Sequence, residues 1–498
     1  MALYSKKVME HFLKPRNLGK LKNPDGIGKA GNPVCGDVMY LYIKVGKRKK
    51  KVKGKVIEEE YIKDIKFGTL GCVPENEKVC IGGKWEKIKN LKEGMYVLTH
   101  LGKYSKIKKI YKRKFSGYLV KITPFVSRFN SFYTTFNHPI LAVKRKFLTS
   151  ARKSSNLCKW LRIDEKELIS MKPLWVDAEL LEEGDYIVFV KNKIIKDDKK
   201  FSIHVMRLLG YYLAEGYLTA NNTVINFSFN KNEKENIREV VELIKQIMNK
   251  EPSVRIRKNV AEIRVCSAKW ARFLLKFCGK YANQKKLAET IMLLPFEKQW
   301  EMIKTYLKGD GNKYKRRPSE SYTYRLFTSS KQLAIQFQEI LARGGIFSSI
   351  KVDKRKRNII EGRKIKYSWL YILSFKLKRK HKFVKQNENY LYVPIKEISK
   401  VKYKGNIYNL EVEKSSSYLV KGFAVHNCAA AIAVSSMLTE MVKGKSLEEA
   451  KKIRNEDIVK ALGGLPNVKF HCSVLGREAL LKAIEDYEKR RSRKKVKK

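Results

Sequence analysis

Three consecutive residues, His426-Asn427-Cys428, carry side chains that can break and remake a peptide bond. The carboxamide nitrogen of Asn427 can attack its own backbone carbonyl through a small ring, which cuts the chain after Asn427 without water or a protease. The neighbouring imidazole of His426 can protonate the leaving amine, and the thiol of Cys428 can then hold an acyl group. Taken alone, such a tripeptide is most often part of an ordinary loop.

A second reactive junction lies far upstream, where Cys72 follows Gly71. A thiol directly after an unbranched glycine is well placed to attack the preceding carbonyl. If both junctions break, 356 of the 498 residues leave, and residues 1–71 and 428–498 remain as a chain of 142 residues. This arrangement resembles an intein within a host protein. We call residues 72–427 the insertion.

The composition indicates a folded and strongly basic chain. Hydrophobic residues make up 43% of the sequence, and the formal net charge is +59. This charge favours a polyanionic partner, above all nucleic acid, although a solvated lysine-rich surface gives the same composition. The eight cysteines show no CxxC spacing, which argues against a secreted disulfide framework. Because we find neither an apolar signal core nor a run of about 18 apolar residues, we expect a cytoplasmic protein without a membrane partner.

The two flanks are predicted to supply the elements of an α+β domain. Alternating side chains over residues 39–45 and 60–67 predict two strands. The basic segment 47–53 between them is expected to be a solvated hairpin turn. Ser446 and Glu449 have the spacing of a capping box, which predicts the start of a helix.

The segment Asn32-Pro-Val-Cys-Gly-Asp37 places a thiol two residues from a carboxylate, where both can face one metal. With the cysteines of the second flank, this motif resembles the IscU/NifU-type family of iron-sulfur scaffold proteins. The resemblance implies a 2Fe-2S cluster or zinc, with a cysteine desulfurase and cluster acceptor proteins as partners. The three ligand cysteines and their two neighbours that it implies are Cys35, Cys428, Cys472, Asp37 and His471.

The insertion opens with short alternating segments separated by glycine turns, a pattern that predicts a compact all-β unit. It resembles the splicing blocks of inteins. Cys72 opens the first block, Thr135-Phe-Asn-His138 matches the second, and residues 405–427 match the last two. The resemblance implies that Thr135 and His138 promote the first acyl shift by straining and protonating the scissile amide.

Inside the insertion, residues 208–216 and 303–311 repeat one pattern, an apolar helix that ends in an acid and a glycine. Two such helices packed through small residues bring Glu215 and Asp310 together, and a carboxylate pair binds magnesium. Either copy alone is simply a helix with a glycine cap. The pair resembles the LAGLIDADG homing endonucleases, which implies cleavage of double-stranded DNA with Lys285 near the phosphate. Segments that alternate apolar and basic residues follow each copy, as in DNA-binding sheets.

These patterns predict a multidomain protein that excises its own insertion and also cuts DNA. The expected architecture is an α+β IscU/NifU-like host split by an all-β Hint (intein) splicing domain, which itself carries an α/β LAGLIDADG domain. The expected boundaries are residues 1–71 and 428–498 for the host, 72–200 and 386–427 for the splicing domain, and 201–385 for the endonuclease.

Three departures from the family patterns leave alternatives open. Asn409 and Ser416 stand where many inteins have Asp and His, which implies slow, temperature-dependent or defective splicing, or a greater reliance on His426. In the defective case the insertion acts mainly as an endonuclease, or as a DNA- or zinc-binding protein that no longer cuts. Asn467 interrupts the motif with which the scaffold family docks its chaperone, so the resemblance does not extend to that partner.

Overall fold

The N-terminal flank forms a helix and a three-stranded sheet. The computed structural model describes the chain apart from residues 1–4, 14, 33–36, 53–54, 69–70, 126, 153–162, 220, 316, 355–358, 361–362, 365–368, 378–382, 427–429, 466–469 and 497–498. Helix α1 (Lys6–Leu13) precedes strands β1 (Gly26–Asn32), β2 (Asp37–Val52) and β3 (Lys55–Gly68). The strands pair antiparallel in the order β1-β2-β3, so both predicted strands are confirmed.

The hairpin of β2 and β3 is longer than predicted. Residues 47–52 continue β2 and pair with β3, so the prediction of a turn over this segment is wrong; residue 53 lies outside the described residues. The cause is charge complementarity across the hairpin. Lys47 and Arg48 form ion pairs with Glu58 and Glu59 at 2.7 and 2.6 Å, and opposite charges on neighbouring strands stabilise their pairing.

The first part of the insertion consists mainly of strands, as predicted. Its elements are β4 (Val73–Pro74), β5 (Lys78–Ile81), β6 (Lys84–Lys87), β7 (Tyr96–Leu98), β8 (Tyr104–Pro124), β9 (Phe132–Thr134), β10 (Pro139–Val143), α2 (Thr149–Arg152), α3 (Glu165–Ser170), β11 (Leu174–Asp177) and β12 (Tyr186–Val190).

Residues 203–375 form a mixed α/β region with an internal repeat. Its elements are α4 (Ile203–Glu215), β13 (Gly216–Leu218), β14 (Val224–Asn230), α5 (Lys234–Met248), β15 (Ser253–Arg257), β16 (Val260–Cys266), α6 (Ala268–Cys278), α7 (Glu289–Leu293), α8 (Phe296–Asp310), β17 (Gly311–Tyr314), β18 (Thr323–Thr328), α9 (Lys331–Arg343), β19 (Ser349–Lys354), β20 (Ile359–Ile360), β21 (Arg363–Lys364) and β22 (Trp369–Phe375). Each half contributes a four-stranded sheet of the same order, β13-β14-β16-β15 and β17-β18-β22-β19.

The two predicted acid-ending helices, α4 and α8, pack against each other through small residues. A Cβ on Gly210 would lie 2.0 Å from Oγ1 of Thr305, so α4 requires glycine at this point. The Thr305 hydroxyl donates a hydrogen bond to the carbonyl of Arg207 at 2.9 Å. This close contact brings the C-terminal ends of the two helices side by side.

The chain then returns to the strands of the insertion. The remaining strands are β23 (Lys385–Gln386), β24 (Tyr390–Val412), β25 (Ser417–Val420) and β26 (Phe423–His426). Together with β4–β12 they form a 13-stranded sheet, whose main order is β6-β5-β25-β26-β10-β12-β24-β8-β7. Val73 pairs with Tyr408, and Val79 pairs with Val420. The first and last strands of the insertion therefore meet in one sheet.

The C-terminal flank supplies helices that pack on the three-stranded sheet of the N-terminal flank. They are α10 (Ala430–Val442), α11 (Leu447–Lys451), α12 (Asn455–Ala461) and α13 (His471–Val496). The predicted capping box of Ser446 and Glu449 is present. Helix α13 lies directly on β1, because a Cβ on Gly28 would be 1.8 Å from the carbonyl oxygen of Ala479. One hydrophobic core contains residues of both flanks, so the flanking domain is assembled although the insertion interrupts its chain.

The assembled flanks touch the insertion through polar contacts and through Tyr111 of β8, which is part of the flanks' hydrophobic core. The Tyr40 hydroxyl donates a hydrogen bond to the carboxylate of Asp177 at 3.1 Å, and Lys20 pairs with Glu179 at 2.9 Å. Burial raises the pKa of Asp177 to about 6. Asp177 pairs with Pro139, the residue after His138, so the flank reaches the strand next to a predicted splicing residue.

Candidate functional sites

The scissile amide of the first junction is held by hydrogen bonds. Cys72 is buried, and its N–H donates to Oγ1 of Thr135 at 2.9 Å. Its carbonyl accepts from the N–H of Thr135 at 2.9 Å and from the Thr134 hydroxyl at 3.2 Å. Burial raises the pKa of the Cys72 thiol, an effect that Arg113 partly offsets. The thiol therefore needs a base before it can attack.

The imidazole of His138 packs on Gly71, on the other side of the scissile bond. A Cβ on Gly71 would lie 1.9 Å from Cγ of His138, so a larger residue does not fit before Cys72. His138 is fully buried, and within the described residues neither ring nitrogen has a partner with good hydrogen-bond geometry. Burial lowers the pKa of His138 to about 3; the charge of His426 lowers it further, and the Cys72 backbone partly offsets the shift. The imidazole beside the amide is therefore neutral at ordinary pH.

His426 lies near a second histidine that the sequence analysis missed. The ring of Trp175 meets His426 at 4.9 Å and His100 at 5.4 Å between ring centroids, edge to face in both cases. Nδ1 of His100 lies 2.6 Å from Oγ of Ser417, which pairs with His426 across β25 and β26. Burial lowers the pKa of His100. No sequence motif marked His100, because Ser417 is 317 residues away in the chain.

The two departures from the intein pattern lie on the strands of the last two blocks or next to them. Asn409 is buried, and its side-chain oxygen accepts a hydrogen bond from the Tyr418 hydroxyl at 3.3 Å. The Tyr418 ring meets His138 at 6.4 Å, so Asn409 connects to the first junction through one side chain. Ser416 has a φ of 46° in the turn before β25. Asn427 and Cys428 lie outside the described residues.

The predicted acid pair is brought together at the ends of α4 and α8. A Cβ on Gly309 would lie 3.1 Å from Oε1 of Glu215, so that carboxylate lies against the backbone next to Asp310. Burial raises the pKa of Glu215 to about 7, and the charge of Asp310 raises it further. Magnesium is commonly held by one or two carboxylates while it keeps several waters. The two acids therefore fit a divalent cation, which would relieve their mutual repulsion.

Lys285 lies beside the acid pair, but its ammonium group is held by backbone carbonyls. It is 3% exposed, and Nζ donates hydrogen bonds to the carbonyls of Tyr212 and of Gly216, the latter at 2.7 Å. Nζ also lies 3.7 Å from the centroid of the Tyr212 ring. Burial lowers the pKa of Lys285 to about 7, partly offset by nearby groups that include Glu215 and Asp310.

Within the described chain no group of three or more His, Cys, Asp or Glu forms a metal site.

Of the predicted cluster ligands, only Cys472 is described with its side chain. It is fully buried in the first turn of α13. Cys35 and Cys428 lie outside the described residues, as do the side chains of Asp37 and His471.

No helix among the described residues is long and apolar enough to cross a membrane.

Two protein-family models match different regions of this chain. The model of the NifU-like N terminal domain matches residues 3–75 and 409–494, and that of the LAGLIDADG-like domain matches residues 297–386. The iron-sulfur cluster assembly scaffold protein IscU of Rickettsia prowazekii is 43% identical over 93 residues, which cover 18% of this chain and 70% of that protein. The chain therefore contains a NifU-like domain that is interrupted in the sequence. It belongs to the NifU/IscU family, and a LAGLIDADG-like domain lies within the interruption.

Other relatives extend over a larger part of the chain. An iron-sulfur cluster assembly SufBD family protein of Mycobacterium tuberculosis is 31% identical over 379 residues, 75% of this chain and 44% of that protein. The ATP-dependent DNA helicase Hel308 of Thermococcus kodakarensis is 28% identical over 431 residues, 72% of this chain and 36% of that protein. The chain thus spans less than half the length of the first curated relatives it matches. A solved structure of the homing endonuclease I-DmoI covers 36% of this chain at 15% identity, with a TM-score of 0.26.

Proposed function

We propose that the insertion is an intein that excises itself and joins the two flanks into an iron-sulfur scaffold of 142 residues. The observation that carries this proposal is the meeting of both ends of the insertion in one sheet. There His138 packs on Gly71, and the charge of His426 lowers the pKa of His138. His138 thus contacts the first junction and interacts with His426, the residue before Asn427 in the sequence, while the flanks are already held together by their common core.

In the first step the sulfur of Cys72 bonds to the carbonyl carbon of Gly71, and the amide bond between the two residues breaks. The thiol proton must move to the amine that leaves. The neutral imidazole of His138 can take this proton and pass it on, and the hydrogen bond to Thr135 orients the scissile N–H. No external acid or base is required.

The remaining steps of splicing use the side chains of the second junction. The thiol of Cys428 attacks the new thioester, so the acyl group moves to Cys428 and the thiol of Cys72 is restored. The carboxamide nitrogen of Asn427 then attacks its own carbonyl, and the amine of Cys428 leaves with a proton from His426. That amine finally attacks the thioester carbon, which forms the new peptide bond and restores the Cys428 thiol.

The relatives support a transferable insertion. The flanks make up 142 of the 498 residues, but the similarities to the SufBD family protein and to Hel308 cover 75% and 72% of the chain. These similarities must therefore include much of the insertion. A segment shared among a NifU-like protein, a SufBD family protein and a helicase behaves as a unit separable from its host.

The insertion also carries the acid pair of a homing endonuclease. Glu215 and Asp310 would hold magnesium, which supplies charge neutralisation at a phosphate and activation of water. Lys285 lies beside the acids, with its amine hydrogen-bonded to backbone carbonyls. The repeated sheets with basic residues would bind double-stranded DNA, for which the large positive charge provides attraction.

The spliced scaffold would carry a 2Fe-2S cluster, or zinc, as its cargo on Cys35, Cys428 and Cys472, with a cysteine desulfurase and acceptor proteins as partners in the cytoplasm. Cys428 is joined to Asn427 before excision, so we expect poor cluster loading by the unspliced chain. Reconstitution of the spliced protein and of a chain locked by Cys72→Ala and Asn427→Ala, followed by absorption spectroscopy, compares the two. Equal loading contradicts this expectation.

The mass of the expressed product tests splicing directly. We expect the 58.0 kDa chain to give a ligated host and a free insertion, and the chain locked at Cys72 and Asn427 to stay intact. An unlocked chain that stays intact at every temperature and reductant concentration rejects splicing. A second candidate function is an insertion that acts only as an endonuclease. It is favoured by Asn409 and Ser416, which stand where many inteins have Asp and His. Incubation with magnesium and a plasmid that carries the joined host sequence tests this activity separately.

A further inference from the structure

A polar cavity of about 520 Å³ opens on the large sheet of the insertion. Its size is within the range of small-ligand sites, about 300–1,000 Å³. Lys121 pairs with Tyr133 on β9, and Thr123 pairs with Glu397 on β24. Because alternate residues of a strand share a face, Lys121 and Thr123 both line the cavity.

The Thr123 hydroxyl is the first sign of a missing ligand. Thr123 is 2% exposed, and its Oγ1 has no hydrogen-bond partner among the described residues. Buried hydroxyl groups are normally hydrogen-bonded, because an unpaired one has lost its water without compensation. A ligand with acceptor oxygens in the cavity would supply the absent bond.

The charges around the cavity are predominantly positive. Lys121 and Arg128 line it, and within the described residues neither forms an ion pair. Lys421 also lines it but is paired with the buried carboxylate of Glu77 at 3.2 Å. Glu397 is the one acidic residue of the lining. An anion would therefore be attracted, chiefly by Lys121 and Arg128.

More lysines lie just behind the cavity. Burial lowers the pKa of Lys331 to about 8, and the charges of Lys78 and Lys421 lower it further. The ammonium group of Lys331 lies 5.4 Å from the centroid of the Phe129 ring, on which Trp85 also stacks at 5.9 Å. Trp85 and Lys331 thus cover the Phe129 ring, which leaves Tyr133 as the other aromatic residue of the lining.

We propose that this cavity binds a phosphoryl group, with Lys121 and Arg128 as cationic partners and the Thr123 hydroxyl as a hydrogen-bond donor. Guanidinium and ammonium groups form charge-assisted hydrogen bonds with phosphate oxygens. The phosphoryl group can come from a free phosphate compound or from duplex DNA held by the neighbouring endonuclease region. The site requires neither splicing nor DNA cleavage.

The test uses the full chain locked by Cys72→Ala and Asn427→Ala. Pyrophosphate is titrated calorimetrically, and binding of a DNA duplex is measured over a series of salt concentrations. Lys121→Ala and Thr123→Val are compared with Lys402→Ala, which removes the same charge from an exposed position of β24 outside the cavity. Thr123→Val also removes the unpaired hydroxyl, so it should raise the melting temperature of the ligand-free chain.

For a free phosphate compound, we expect saturable pyrophosphate binding that Lys121→Ala and Thr123→Val weaken about tenfold and Lys402→Ala leaves unchanged. For DNA, we expect Lys121→Ala alone to reduce the slope of log K against log salt by about 0.9. Either result supports the site and identifies the source. Absence of both effects overturns the proposal, as does an equal loss with Lys402→Ala.

Discussion

Thr135→Val tests the first chemical step at a single hydrogen bond. The Thr135 hydroxyl accepts the N–H of the scissile amide at 2.9 Å in a buried position, and valine keeps the shape of threonine but offers no acceptor. A buried N–H left without a partner costs about 1–3 kcal/mol. If the whole cost falls on the transition state, in which the nitrogen leaves the amide plane, the step slows by roughly 5- to 160-fold.

The assay isolates this step in a chain that carries Asn427→Ala, so that the second junction stays closed. Dithiothreitol then releases residues 1–71 by cleaving the thioester, and the rate of release is followed by gel electrophoresis. Thr134→Val is the matched control, because its hydroxyl contacts the Cys72 carbonyl and not the scissile N–H. A folded Thr135→Val chain that releases the flank at the parent rate, or no more slowly than the control, refutes the assigned role of Thr135.

Further expectations concern both junctions and the acid pair. Gly71→Ala should stop dithiothreitol-induced release, because its methyl group would overlap the His138 ring; normal release contradicts this packing. His100→Ala should slow cleavage after residue 427, because His100 contacts Ser417, the strand partner of His426, while leaving thiol-induced release intact; equal slowing of both would indicate a general structural role. Glu215→Gln should abolish magnesium-dependent DNA cleavage. Because the pKa of Glu215 is raised to about 7 from its ordinary 4.5, the carboxyl holds a proton between these pH values that the metal must displace. Calcium affinity measured by calorimetry should therefore rise with pH up to about 7 and then level off, and a flat profile contradicts the shift.

Local patterns predicted much of this molecule. The acid-ending helices and the alternating strands are read from neighbouring residues, and the structure places Glu215 and Asp310 together as that pattern requires. The extension of β2 was missed, because the turn prediction considered lysines without the opposing acids Glu58 and Glu59.

Contacts between distant segments were beyond such patterns. His100 meets Ser417 only because the first and last strands of the insertion share a sheet. The family resemblance predicted that Lys285 lies near a phosphate. It did not predict the hydrogen bonds of its ammonium group to the backbone at the end of α4. The unpaired hydroxyl of Thr123 is likewise a property of packing that no residue type reveals.

The two flanks share one core although the insertion separates them in the chain. Its sheet and the helices that cover it are already in place around Gly28 and Ala479 while the chain is still interrupted. Under the proposed splicing, ligation would seal a gap in a preassembled domain, and no new search for the native topology would be needed. The flanking domain stays assembled although 356 residues separate its two parts in the chain, which is the property that permits domain insertion at surface loops. Loss of the segment from the gene would accordingly leave the architecture of the scaffold unchanged.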